Sequence, residues 1–218
     1  MTRALLFAIA ASSALLIGGA IGAWWPPPRR LTGVLLAFAS GALFAAVAFE
    51  LFEDAFRWGG AWRAGIAFFT GATVFIVIDT RLERYKQRRH ASGAAIGFAL
   101  LAAVTLDGVP ENLAMGVSLV ESASVTLLVA IFASNLPESI VGAQKMRESG
   151  LPHGRIMLIW GATALLLAAA AVAGYAALDD MNPEMLAWPL GFAAGAVLAS
   201  LADTLMPEAF REGGPNVA

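Results

Sequence analysis

The chain has 218 residues, 59% of them hydrophobic and only 14% charged, with a formal net charge of −2 and a mean hydropathy of +0.72. That balance excludes an ordinary water-soluble domain and marks a membrane protein. No cysteine is present, which excludes disulfides and thiolate metal sites, and the two histidines, His90 and His153, sit beside charged residues, which argues against histidine chemistry within the membrane.

Apolar runs of roughly 20 residues each predict an all-α polytopic bundle, one transmembrane domain over 1–218 with seven helices. The first covers about 4–24. It is longer than the usual core of a cleaved signal peptide, the rival reading, and its "GGAIGA" permits close helix packing and a homodimer. After "WWPPPRR" the second covers 31–52, with Glu50 near its end. A "GG" pair at 59–60 separates it from the third, 61–80, which runs into the basic "RLERYKQRRH". The fourth, 93–119, and fifth, 124–144, carry acids and prolines. The sixth, 156–178, has no acid, and past "DDMNPE" the seventh, 185–206, carries Asp203 near its end.

Loops rich in Lys and Arg stay in the cytoplasm. Eleven basic residues, from Arg29 to Arg211, fall on one predicted side, whereas Arg3, Arg57 and Arg63 fall on the other. The expected arrangement is an inner or cell membrane protein with its N-terminus outside and the 81–92 loop cytoplasmic. Trp24, Trp25, Trp58, Trp62 and Trp188 fit an interfacial belt touching the lipid bilayer, and no nucleic-acid partner is expected.

All fourteen basic residues lie in loops or at helix ends, while Asp107, Glu111 and Glu138 fall near mid-helix. An ionised acid at that depth costs about 2.5–3.5 kcal/mol. These acids must be protonated, hydrated or completed by a cation. Asp107 and Glu111 are four residues apart, as are Ser134 and Glu138, so each pair shares one helix face. Pro110 and Pro137 withhold the donors for the carbonyls of Leu106 and Ala133, and Asn135 adds an amide. The set predicts an oxygen cage for a divalent cation. The plainer reading is a packing kink with a protonated acid on each helix. Glu50 and Asp203 line the ends of a cation path or are simply interfacial acids.

The stretch "LAFASGALFAAVAFELFEDAF" at 36–56 matches "LGFAAGAVLASLADTLMPEAF" at 190–210 with a constant offset of 154 residues, pairing Phe38 with Phe192, Gly41 with Gly195 and Leu51 with Leu205. Inverted repeats flanking a site on broken helices are a transporter architecture.

At these residues the chain resembles the ZIP (Zrt/Irt-like) family of divalent metal transporters. "DGVPENLAMG" is similar to the family's fourth-helix signature, "SNLPES" to the fifth-helix counterpart and "GFAAGAVLASLADTLMPEA" to its seventh helix. The resemblance implies a 3+2+3 inverted-repeat arrangement and a metal site on Asp107, Gly108, Glu111, Ser134, Asn135 and Glu138. Asp107 stands where the family has His, Gly108 where it has Asn, and Asn112 and Ser139 where it has Gly, leaving an all-oxygen site. Zinc is the family ion; oxygen ligands favour Mn²⁺, Fe²⁺ or Mg²⁺. The family's eighth helix has no counterpart before Ala218: either the chain is naturally short or the sequence is a shortened one. The expectation is therefore a non-enzymatic carrier whose metal is substrate and not cofactor. The alternatives are a metal-binding sensor or structural protein without turnover, and an intramembrane hydrolase using Asp107 and Glu111.

Overall fold

The structure, a computed structural model, describes residues 1–88, 93–121, 124–178 and 181–214; within these, the side chains of residues 85–88, 93–104, 107 and 121 lie outside the description. Every element among the described residues is helical. Helix α1 is Thr2–Trp24 and α2 is Arg29–Ala46; a π-helical turn, Val47–Phe52, leads from α2 into α3, Glu53–Arg88. Then follow α4 (Gly93–Glu121), α5 (Val125–Glu148), α6 (His153–Leu178) and α7 (Pro183–Ser200), and a second π turn, Leu201–Leu205, leads into α8, Met206–Gly213.

Five helical stretches among the described residues are long and apolar enough to cross a membrane: Thr2–Trp24, Arg29–Arg84, Val125–Glu148, His153–Leu178 and Pro183–Gly213. The second is far too long to be one straight rod through a core of about 30 Å, and it is not straight. Gly60 adopts φ 72° and ψ 170°, a conformation open essentially to glycine alone. Phe52 and Phe68, eight residues either side of it, meet edge to face with ring centroids 5.2 Å apart. A continuous helix would separate them by about 24 Å. The chain therefore reverses at Gly60, where the sequence places its "GG" break. Gly60→Ala is expected to cost about 1–3 kcal/mol, read as a lower thermal midpoint in detergent.

Small residues bring the helices to backbone contact. A Cβ on Gly71 of α3 would stand 1.9 Å from the Phe192 carbonyl of α7, and one on Gly195 would stand 1.9 Å from the Phe68 carbonyl of α3. Helix α1 lies against α5 and α6, and α4 lies against α6 and α7. Gly22 of α1 abuts the Ile140 carbonyl of α5, just as Gly174 of α6 abuts the Leu113 carbonyl of α4. Ile140 and Leu113 each stand three residues after a helix proline. The glycines of "GGAIGA" are thus engaged inside the chain: Gly18 meets Ser139 and Gly19 meets Trp160.

The two stretches matched in sequence share more than composition. Their π turns begin at Val47 and Leu201, the same 154 residues apart. Burial follows the same register: Leu36 with Leu190, Ala39 with Ala193, Leu43 with Val197, Leu51 with Leu205 and Ala55 with Ala209 are all buried. Gly41 breaks the pattern, being exposed with nothing near it where Gly195 is covered by α3.

Candidate metal centre

Two helices carry the candidate ligands, and each holds a proline without losing its helical path, Pro110 in α4 and Pro137 in α5. The two helices touch one another, though their larger contacts are with α6 and α1. On α4, Glu111 is 4% exposed and Asn112 is fully buried. On α5, Ser134 and Asn135 are buried, and Glu138 is half-buried one turn further on. The Asp107 side chain lies outside the described residues.

A buried polar atom without a partner costs about 1–3 kcal/mol. Asn112 donates from Nδ2 to the Gly108 carbonyl at 2.8 Å, which leaves its Oδ1 buried and without a hydrogen bond. Asn112 follows Glu111 directly in the chain, and in the family resemblance it stands only as a departure from glycine. Asn135 has the opposite shortage, a buried Nδ2 with no acceptor. Exchanging the two ends of its amide would present an oxygen instead. Ser134 donates to the Ile131 carbonyl at 3.0 Å and keeps its hydroxyl lone pairs for accepting or ligating. Ser139 turns away toward α1, reaching the Ala14 carbonyl at 3.3 Å as well as the Asn135 carbonyl at 2.7 Å.

Among the described residues, no three His, Asp or Glu side chains converge in a metal-holding group. Such a group here would consist of Glu111 and Glu138 with amide, hydroxyl and carbonyl oxygens, and Asp107 would be its third acid. This donor set is hard throughout, suited to ions that accept oxygen ligands.

The two ends of the bundle are built differently. At one end the Ser124 hydroxyl caps α5 by accepting from the Leu127 amide at 3.1 Å and donates to Glu50 at 2.5 Å. Glu50 thus ties the first π turn to the start of α5. Asp54 pairs with Arg57 at 3.5 Å, and Arg63 with Glu184 at 3.0 Å. At the other end Lys145 of α5 meets Glu208 of α8 at 2.5 Å, Arg211 meets the same carboxylate at 3.2 Å, and Arg147 donates to the Ala23 carbonyl at 3.2 Å. Lys145 stands seven residues, two helical turns, beyond Glu138 and on the same face. Asp203, on the second π turn, is exposed.

No family model matches the chain, and no curated protein matches it.

Proposed function

We propose that the protein carries divalent metal cations across a membrane by alternating access, in the manner of the ZIP family that its helix motifs resemble. The reading is carried by one observation: a glutamate and an orphaned amide oxygen, Glu111 and Asn112, are buried on a proline-bearing helix that touches the helix of Glu138. A cation bound there would take oxygen ligands from the carboxylates and give the amide oxygen a partner. Glu111, Glu138, Ser134, Asn135 and Asp107 are the proposed ligands, with Asn112 added. Mn²⁺, Fe²⁺ or Mg²⁺ suits such oxygens, and Zn²⁺ follows from the resemblance.

In this reading the chain crosses seven times, with the hairpin at Gly60 supplying the second and third crossings. The shared π turns and the shared burial support an inverted repeat relating α2 to α7. So do the matched glycine contacts of α1 on α5 and of α6 on α4. The basic end that holds Lys145 and Arg147 faces the cytoplasm, and the end with Glu50 and Asp54 faces outward.

Metal uptake into proteoliposomes tests the proposal. Saturable Mn²⁺ or Zn²⁺ entry is expected. Metal binding without entry would leave a sensor or structural protein, and peptide cleavage without metal flux would favour an intramembrane hydrolase.

The Lys145–Glu208–Arg211 group closes the inner end of the proposed path below Glu138. Partly exposed ion pairs of this kind are worth roughly 1 kcal/mol together. With no cysteine in the chain, a thiol introduced by Ser134→Cys is the sole target for a maleimide. Adding Glu208→Gln is expected to speed its labelling from the basic side about fivefold. An unchanged rate would show that these pairs do not gate the path.

A further inference from the structure

A cavity of about 590 Å³ opens between α3, α4 and α7, walled by Val74, Ile78 and Leu82 of α3, Pro110 of α4 and Ala196 of α7, with Thr105 the one polar side chain on it among the described residues. Helices α3 and α7 are locked backbone to backbone at Gly71 and Phe192, whereas among the described residues α4 barely touches α3. A space this apolar offers a water molecule too few partners to stay. Inside a bilayer, the matching occupant is hydrocarbon.

Length and charge narrow the occupant further. The α3 wall runs from Gly71 to Leu82, about 16 Å along a helix and close to half of a 30 Å hydrocarbon core. That is the depth of one leaflet. The wall ends beside Arg81 and Arg84, both exposed and neither in an ion pair among the described residues. Asp79 and Glu83 are the acids nearby, but five basic residues lie between 81 and 89 against Glu83 alone.

We infer that this cavity is a binding site for an anionic phospholipid, one acyl chain lying between α3, α4 and α7 and the headgroup held by Arg81 and Arg84. The chain braces α4 at Pro110, the residue before Glu111. The inference stands apart from the metal reading, since it uses none of the proposed ligands and requires no transport.

Native mass spectrometry of the protein, offered phosphatidylglycerol and phosphatidylcholine with identical acyl chains, provides the test. One phosphatidylglycerol is expected to survive detergent exchange. Ile78→Trp, which fills the cavity from α3, is expected to lose it, and Ala196→Leu does the same from α7 should the first variant fail to fold. Arg81→Gln and Arg84→Gln are each expected to lower the preference for phosphatidylglycerol about fivefold while leaving chain binding intact. Equal retention of the two lipids by the unmodified protein would overturn the assignment. So would retention of phosphatidylglycerol in a folded cavity-filling variant.

Discussion

Glu111→Ala and Glu138→Ala are each expected to remove the tightest divalent-cation binding, weakening affinity by at least about a hundredfold, because each deletes a charged oxygen ligand where even supporting residues are worth 10–100-fold. Isothermal titration with Mn²⁺, Zn²⁺, Cd²⁺ and Mg²⁺ reads the effect directly. A misfolded variant would imitate it, so a second signature matters. Glu111 and Glu138 each interact with a neighbouring group that truncation leaves behind, so a folded variant is recognised by a helical circular dichroism spectrum like the parent's and a single size-exclusion peak, which alanine, the best helix former, favours. What the variants lose is stabilisation by metal, which amounts to about 2.7 kcal/mol for a ligand at a hundred times its dissociation constant. Asn112→Leu should weaken binding about tenfold, in keeping with a neutral ligand or supporting group. Unchanged affinity in both glutamate variants would end the cage proposal.

The second large effect separates two glycines that the sequence treats as equivalents. Gly195→Val is expected to cost about 3 kcal/mol, the upper range for overpacking. Its Cβ would stand 1.9 Å from the Phe68 carbonyl, and a backbone cannot swing aside as a side chain can. Gly41→Val, at the matching position of α2, meets nothing within 4 Å and should change stability by no more than about 0.5 kcal/mol. Thermal melting of the two variants in one detergent decides the matter. Equal effects would mean that α3 does not press on α7 as described.

Much of the fold was legible because the punctuation is strong. Pro26 to Pro28, the Gly59-Gly60 pair and the Asn182-Pro183 step bound helices within a few residues of where the structure has them. What the sequence could not reveal was which face of each helix turns inward. In helices built of Ala, Leu and Gly every face is apolar, so periodicity carries almost no signal. The π turns escaped for the same reason. The 154-residue offset aligns the two turns with one another, but nothing in "VAFELF" or "LADTL" distinguishes a wide turn from an ordinary one.

The candidate site announces itself in its acids and prolines, whose presence in apolar helices is costly enough to stand out. Its neutral members do so less. Asn112 departs from the motif glycine, and only its burial and its unpartnered oxygen draw it to the site, while Ser124, the partner of Glu50, stands 74 residues away in the chain. Partners that distant leave no trace in local spacing. The pairing of Lys145 with Glu208, across 63 residues, was hidden in the same way.

The tight reversal at Gly60 has a consequence for biogenesis. In the proposed topology its tip must be pushed through lipid as the two arms enter together, taking Glu50, Glu53, Asp54, Arg57 and Arg63 with it. Three negative charges against two positive leave one net negative charge, so an inside-negative electrical gradient assists the passage by about 2.3 kcal/mol per 100 mV. Insertion of this segment should thus proceed faster in energised than in de-energised vesicles.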